Sequence, residues 1–319
     1  MKYLARRFVH GFLLLIGVSL LCFVFSDLAP GGFFDEMKLN PQVSVETIAG
    51  IRAQYGIDQP FPVRYLRWVQ SVVRGEWGYS FAYNSPVRNL LGTRARNTLI
   101  LATVATALAW LISVPLGVWL ASRAGKWGDR ACLAGTSLLT SVPEIVLVLA
   151  LLGFAVRTHW LPVGGMSSVG SGTVLREKAV DLLLHLVIPT TVLVLASLPI
   201  LVRHVRSSVI EALKAPFIQA ARAHGISQAR LLFHYALPAA AKPLISLFGL
   251  SVAGLLSGGL LVEVVTGWPG LGPLLLESSM SKDIYVVVGI VMFSTLFMIF
   301  GNLLADLLLF VADPRVRAE

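Results

Sequence analysis

Charged residues are scarce in this chain: Asp, Glu, Lys and Arg make up 13% of its 319 residues, while 56% are hydrophobic. A soluble globular domain carries about twice that charged fraction. The apolar residues form continuous runs, long enough to cross a bilayer core of about 30 Å as helices. The alternating ten-residue pattern of a membrane β-barrel is missing. The composition therefore predicts an all-α polytopic membrane protein.

Other absences exclude whole classes of site. The sequence contains no G-x-x-x-x-G-K-[ST] phosphate-binding loop, so the chain itself is not expected to hydrolyse ATP. Its two cysteines, Cys22 and Cys132, lie in apolar runs without the spacing of a disulfide framework or a metal site. The histidines are scattered and also lack metal-ligand spacing. No catalytic, cofactor-binding or metal-binding residue is therefore predicted.

Long apolar runs predict six transmembrane helices, at about residues 8–28, 97–121, 132–156, 183–202, 244–265 and 284–311. They divide the chain into the N-terminus and first span (1–28), a polar extracytoplasmic insert (29–96) and a core transmembrane domain (97–319). Prolines inside the spans predict kinks, because each removes a backbone donor. These are Pro115, Pro143, Pro189 and Pro199.

The basic residues collect in alternate short loops. Lys and Arg precede the first span, separate the second from the third and the fourth from the fifth, and follow the sixth. Such loops stay on the cytoplasmic side, so both termini are predicted to be cytoplasmic. The net charge of +9 is explained by this orientation, and no nucleic-acid partner is predicted.

The basic loop between the fourth and fifth spans, residues 203–242, contains a helix–glycine–helix pattern. One short helix is predicted over residues 211–224, with Leu213, Phe217 and Ala221 on a single face. This pattern predicts two short helices near the membrane surface. They are either interfacial amphipathic helices without a partner or a docking surface.

The boundaries of this helix pair come from three residues. Gly225 is predicted to end the first helix in the left-handed conformation. Ser227 is a candidate N-cap for the second helix, and Pro238 is expected to end it.

The spacing of this loop resembles the EAA loop of binding-protein-dependent ABC importer permeases, E-A-A-x3-G-x9-I-x-L-P. The chain has Ala220-Ala221, three residues, Gly225, nine residues and then Tyr235-Ala236-Leu237-Pro238; Gln219 replaces the Glu, and Tyr235 replaces the Ile. In that family the loop forms the coupling helices that sit in a groove of the cytoplasmic ATPase. The resemblance implies an ATPase-coupling role for Gln219, Ala220, Ala221, Arg222, Gly225, Arg230, Leu237 and Pro238.

Further segments resemble the dipeptide/oligopeptide branch of this family, in the type with a long periplasmic insert. In chain order they are residues 29–32, 55–60, 65–66, 75–80, 86–87, 96–98, 267–272 and 313–317. The resemblance implies a type I permease fold and a second homologous permease subunit as its pair. It also implies two ATP-binding subunits that hold ATP and Mg, and an extracytoplasmic solute-binding protein.

The resemblance implies a non-catalytic subunit of the inner (cytoplasmic) membrane, forming half of a translocation pathway for di- or oligopeptides that works by alternating access. Relatives take nickel chelates, glutathione or sugars, so the substrate stays open. Trp68 and Trp77 are candidates for docking the binding protein or for anchoring at the membrane interface. The alternative is an ion-coupled secondary transporter, for which Glu144 and Asp306 are the intramembrane acids; both are also candidates for pathway or helix-locking roles.

Overall fold

The computed structural model describes residues 2–28, 58–168 and 174–312, with isolated positions at 46, 48, 50, 52, 56 and 170. The chain divides into two compact units. One comprises Met1–Asn97 and Pro269–Leu296, and the other comprises Thr98–Trp268 and Phe297–Glu319. Of the family-like segments, residues 29–32 and 313–317 lie outside the described residues, as do Tyr55 and Ile57.

The described elements are almost all helical. The helices are α1 (Lys2–Leu28), α2 (Phe61–Val73), α3 (Val87–Ser122), α4 (Trp127–Thr140), α5 (Glu144–Thr158), α6 (Leu175–Leu213), α7 (Pro216–Ala223), α8 (Gln228–Arg230), α9 (Leu237–Ala239), α10 (Ala241–Thr266), α11 (Leu271–Met280) and α12 (Ile284–Ala312). A π-helical turn, Leu231–Ala236, joins α8 to α9, and a small hairpin pairs β1 (Tyr79–Ser80) with β2 (Ser85–Pro86).

Five described helices, α1, α3, α6, α10 and α12, are long and apolar enough to cross a membrane. The pair α4 and α5 makes a sixth span if it is counted as one broken crossing. The predicted polytopic helical fold is thus confirmed. The cytoplasmic location of the termini stays a prediction.

The third predicted span is not one straight helix over residues 132–156. It is divided into α4 and α5, which meet at an angle of 93°. Pro143 lies at the break, where it supplies no N–H and disfavours helical geometry for Val142. The sequence therefore located the kink correctly but not its size.

In the first unit, α1 and α2 are held together by contacts at every fourth residue of α1. The Ser19 and Tyr65 hydroxyls lie 2.9 Å apart, the Phe23 ring lies 5.0 Å from the Trp68 ring, and Arg64 donates to Asp27. Trp68 is 5% exposed. The aromatic rings of α2 therefore pack against α1 within this unit.

The β1–β2 hairpin is attached to the segment between α11 and α12 by Asp283. Its carboxylate accepts hydrogen bonds from the Ser80 hydroxyl at 2.7 Å and the Ala82 N–H at 3.2 Å. Burial raises the pKa of Asp283, while these donors lower it. Because the net shift is upward, this carboxyl stabilises the fold most below its ordinary pKa, and the contribution falls as pH rises through the raised value.

In the second unit, α6 packs against α4, α5 and α10. Along α6 the side chains of Val192, Leu193, Leu201 and Val205 are fully or almost fully buried. Helices α10 and α12 approach closely at glycine: a side chain at Gly249 would meet the Ala305 Cβ at 2.8 Å. The long helix α6 is thus the centre of this unit. It continues into the loop predicted over residues 203–242 and ends there at Leu213.

Candidate functional site

The junction between α6 and α7 forms because Pro216 interrupts the helix. Residues before a proline avoid helical geometry, and Ala215 is extended with ψ at 140°. Pro216 then begins α7, where its missing N–H has no consequence. The predicted single helix over residues 211–224 is therefore wrong: α6 ends at Leu213, and a new helix begins three residues later.

Gln219 connects α7 to the end of α6. Its side-chain amide donates a hydrogen bond of 3.0 Å to the Leu213 carbonyl. The last carbonyls of a helix lack partners within the helix, so this bond satisfies one of them. A glutamate, which the family motif has here, could not donate such a bond.

Gly225 ends α7 in the left-handed conformation, with φ at 76°, as predicted. The Gly225 N–H donates to the Arg222 carbonyl at 3.0 Å, and the Ile226 N–H donates to the Ala221 carbonyl at 3.3 Å. These two bonds form a Schellman motif, in which a left-handed glycine reverses the chain. The turn sends the chain from α7 directly into α8.

The inner face of α7 is buried on the transmembrane helices. Ile218 is 0% exposed and Ala221 is 8% exposed. They belong to one apolar cluster with Val118 and Ala121 of α3, Val205 and Val209 of α6, and Leu231, Leu232, Ala236, Ala240 and Leu244. Because this cluster joins α7 to two membrane helices, a force on α7 is transmitted to α6 and α3 by packing.

The outer face of α7 and α8 is both basic and apolar. Arg222 and Arg230 are exposed, and so are Gln219, Ala220 and Gly225. Phe217 and Phe233 add large apolar side chains that are 54% and 55% exposed. Leu213, Phe217 and Ala221 were expected on a single face, but Leu213 belongs to α6, before the break at Ala215. Of the two residues that lie in α7, Ala221 is buried and Phe217 is exposed.

The second arm of the loop continues through Pro238 instead of ending there. Ser227 occupies the N-cap position before α8, although its side chain makes no capping hydrogen bond. A π turn precedes α9, with the Leu237 N–H donating to the Leu232 carbonyl. Pro238 has no N–H to donate to a regular α-helical hydrogen bond, and the wider π turn lies directly before it. The chain therefore continues in helical turns through Pro238 to α10.

The structure therefore divides the predicted coupling residues into three groups. Gln219, Ala220, Arg222, Gly225 and Arg230 lie on the exposed face, and Ala221 lies in the buried cluster. Leu237 and Pro238 line an open apolar groove of about 360 Å³, together with Trp110, Val114, Ala241, Leu244, Ile245, Phe248 and Leu308.

An ion pair with a buried carboxylate, near the C-terminal end of α6, was not found from the sequence. Arg206 of α6 donates two hydrogen bonds, of 2.6 and 2.7 Å, to the carboxylate of Asp129 on α4. Asp129 is 1% exposed and also accepts the Gly125 N–H at 2.8 Å. The only sequence signal was a single acid within a basic loop. The pair fixes α4 to the end of α6 that leads into α7.

The intramembrane acids lie at helix contacts. Glu144 is half-buried at the start of α5, and its Oε2 lies 3.6 Å from where a side chain at Gly258 would begin. Asp306 is half-buried on α12, next to the close contact between Ala305 and Gly249. Their pathway or helix-locking roles stay predictions.

The two candidate docking tryptophans are in different environments. Trp68 packs on Phe23, and its Nε1 donates to the Trp77 carbonyl at 3.4 Å. The half-buried Trp77 ring lies 5.1 Å from the Phe293 ring. Trp68 therefore packs inside its own unit instead of presenting its ring to a partner, and a docking role for Trp77 stays a prediction.

Curated relatives align with the chain from end to end. It is 32% identical over 322 residues to the oligopeptide transport system permease protein AppB of Bacillus subtilis (strain 168), with 99% of each chain covered. It is 31% identical over 336 residues to the dipeptide transport system permease protein DppB of Escherichia coli (strain K12), again with 99% of each covered.

The fold is similar to that of a solved ABC transporter. A chain of the MetNI methionine ABC transporter, in inward facing conformations, matches with a TM-score of 0.50 and 20% identity. The match covers 72% of this chain and 95% of that one. Together with the relatives, it supports an ABC permease over an ion-coupled secondary transporter.

Two family models cover the chain. The model for the N-terminal part of binding-protein-dependent transport system membrane components matches residues 1–102. The model described as binding-protein-dependent transport system inner membrane component matches residues 113–318, more than half of the sequence. The chain therefore belongs to the family of inner membrane components of binding-protein-dependent transport systems.

Proposed function

We propose that this permease carries di- or oligopeptides across the inner membrane as one half of a translocation pathway. The relatives named as oligopeptide and dipeptide permeases support this substrate class. The complex would contain a second homologous permease, two ATP-binding subunits and an extracytoplasmic solute-binding protein. ATP and Mg would be held by the ATP-binding subunits, since this sequence lacks a phosphate-binding loop.

The observation that carries the coupling role is the two-sided construction of α7. Its outer face, with Phe217 and Arg222, is exposed, while Ile218 and Ala221 are packed in the cluster that includes Val205 of α6. A docked ATPase would therefore move α7 and the cytoplasmic end of α6 as one body. Closure of the ATPase dimer would then change access to the pathway between the permease subunits.

The turn at Gly225 gives a direct test of this mechanism. A side chain at 225 would meet nothing within 4 Å, so a substitution acts through the backbone conformation alone. A left-handed conformation costs an ordinary residue about 1–2 kcal/mol and is tolerated best by Gly and Asn. We expect Gly225→Val to abolish ATP-driven peptide uptake while the protein still inserts into the membrane, and Gly225→Asn to retain most uptake.

Uptake of a labelled dipeptide and the associated ATP hydrolysis would be measured in membrane vesicles containing the whole importer. Normal uptake with normal ATPase coupling in Gly225→Val would contradict the mechanism. Uptake that persists after ATP depletion, with a proton gradient maintained, would instead support an ion-coupled transporter. Competition by nickel chelates, glutathione or sugars, but not by peptides, would reject the peptide substrate.

A further inference from the structure

Helix α2 is amphipathic, and its two faces have different surroundings. One face, with Tyr65 and Trp68, packs on α1. The opposite face exposes Leu66 by 59% and Val73 by 83%. Nothing in the described part of this unit covers these apolar side chains.

The position of α2 along α1 identifies what lies next to it. Residues Ser19, Phe23 and Asp27 of α1 contact α2 and lie on one face of α1 at successive turns. Asp27 stands one residue before the end of α1, and Phe23 lies about 6 Å deeper. Helix α2 is therefore attached to the terminal turns of a membrane span.

Helix α1 is itself apolar and largely exposed. Only 11% of the residues in its apolar window are buried, and Leu21, Phe25 and Leu28, on the side away from α2, are 53%, 66% and 74% exposed. Its length and composition are those of a membrane span. The exposed apolar residues of α2 lie beside the last turns of α1, where such a span meets the headgroup region.

The charge on α2 matches a phosphate-rich surface. The exposed face carries Arg67, the exposed Arg74 caps the C-terminal end of the helix, and α2 contains no acidic residue. Amphipathic helices with a basic edge bind at the boundary of headgroups and acyl chains.

We infer that α2 is an interfacial membrane anchor, with Leu66 and Val73 inserted among the acyl chains and Arg67 and Arg74 contacting the phosphates of anionic lipids. It extends the contact of α1 with one membrane surface and holds the middle of the 29–96 insert at that level. This inference depends only on membrane insertion of α1 and not on the peptide substrate.

Spin labels would measure the depth of α2 directly. Single cysteines at Leu66 and Val73, in a background with Cys22 and Cys132 replaced by Ser, are labelled in the full-length protein in nanodiscs. We expect a several-fold higher ratio of oxygen to aqueous nickel-complex accessibility than at the exposed Glu76, approaching the ratio at lipid-facing Leu21. A ratio equal to that at Glu76, shielding from both reagents, or protection only after the binding protein is added would overturn the inference.

The basic edge is tested by lipid composition. Labels at Leu66 should lie deeper in phosphatidylcholine nanodiscs containing phosphatidylglycerol than in those without it. The double variant Arg67→Gln/Arg74→Gln should remove this difference while leaving the label at Leu21 unchanged. Equal depth in both lipids for the protein with Arg67 and Arg74 intact would refute the phosphate contact.

Discussion

At the scale of single residues, Gln219 occupies the position of the glutamate in the EAA motif and makes a contact that a carboxylate would not make. The amide donates to the Leu213 carbonyl at 3.0 Å, across the break between α6 and α7. A carboxylate would offer only acceptors to that carbonyl. The hydrogen bond therefore requires the amide of glutamine at this position, and it helps to hold α7 on α6.

Replacing Gln219 by Ala or by Glu should loosen α7 to a similar extent. Either change removes a hydrogen bond whose net contribution is about 0.5–1.5 kcal/mol. Hydrogen exchange of the α7 amides should become faster in both variants, and Gln228→Ala, at an exposed position of α8, serves as the control. Wild-type protection in Gln219→Glu would show that the amide bond is not what holds the helix.

Gly249 and Gly254 make a matched pair on α10. A Cβ at 249 would lie 2.8 Å from the Ala305 Cβ, whereas a Cβ at 254 would meet nothing within 4 Å. Gly249→Ala should therefore destabilise the protein by about 1–3 kcal/mol through overpacking. Gly254→Ala should stabilise it by about 0.5–1 kcal/mol through helix propensity. Thermal unfolding in detergent would compare them, and equal midpoints would contradict the close contact.

At the scale of helices, the Asp129–Arg206 pair and the apolar cluster attach different helices to the same end of α6. The ion pair attaches α4, and the cluster attaches α7 and α3. A movement of α7 would therefore be passed to α4 through α6.

Breaking the pair should be costly, because one buried charge loses its partner. We expect Arg206→Gln, which leaves the buried Asp129 carboxylate without this partner, to destabilise the protein by about 3–5 kcal/mol. The double variant Asp129→Asn/Arg206→Gln should lose less than the sum of its single variants. Arg203→Gln, which removes only a bond to Ser137, is the control. Additive shifts in unfolding midpoint would contradict a direct interaction.

At the scale of the whole molecule, the charge distribution predicts which surfaces face the cytoplasm. Cysteines at Lys126 and His224, placed in a background without Cys22 and Cys132, should react with a membrane-impermeant maleimide only after the cells are permeabilised. A cysteine at Glu76 should react in intact cells. All three positions are exposed in the structure. The opposite pattern of labelling would reverse the orientation.

Much of the architecture could be read from the sequence because membrane insertion depends on local composition. Continuous apolar runs located the spans, and Pro143 located the bend in the third. Gly225 likewise located the end of α7, because glycine lacks a Cβ and adopts the left-handed conformation readily. Local signals failed at Pro216, which divides the helix predicted over residues 211–224, because side chains four residues apart share a face only within one continuous helix.

The sequence by itself determined the class of protein, the approximate spans and the coupling loop, because apolar length, proline and glycine act on their immediate surroundings. Only the tertiary structure decided which side chains of that loop are available to a partner: Ile218 became buried and Phe217 exposed. It alone brought Asp129 to Arg206, 77 residues apart in the chain, and placed Trp68 against Phe23. Such contacts join distant segments, and they depend on how whole helices pack.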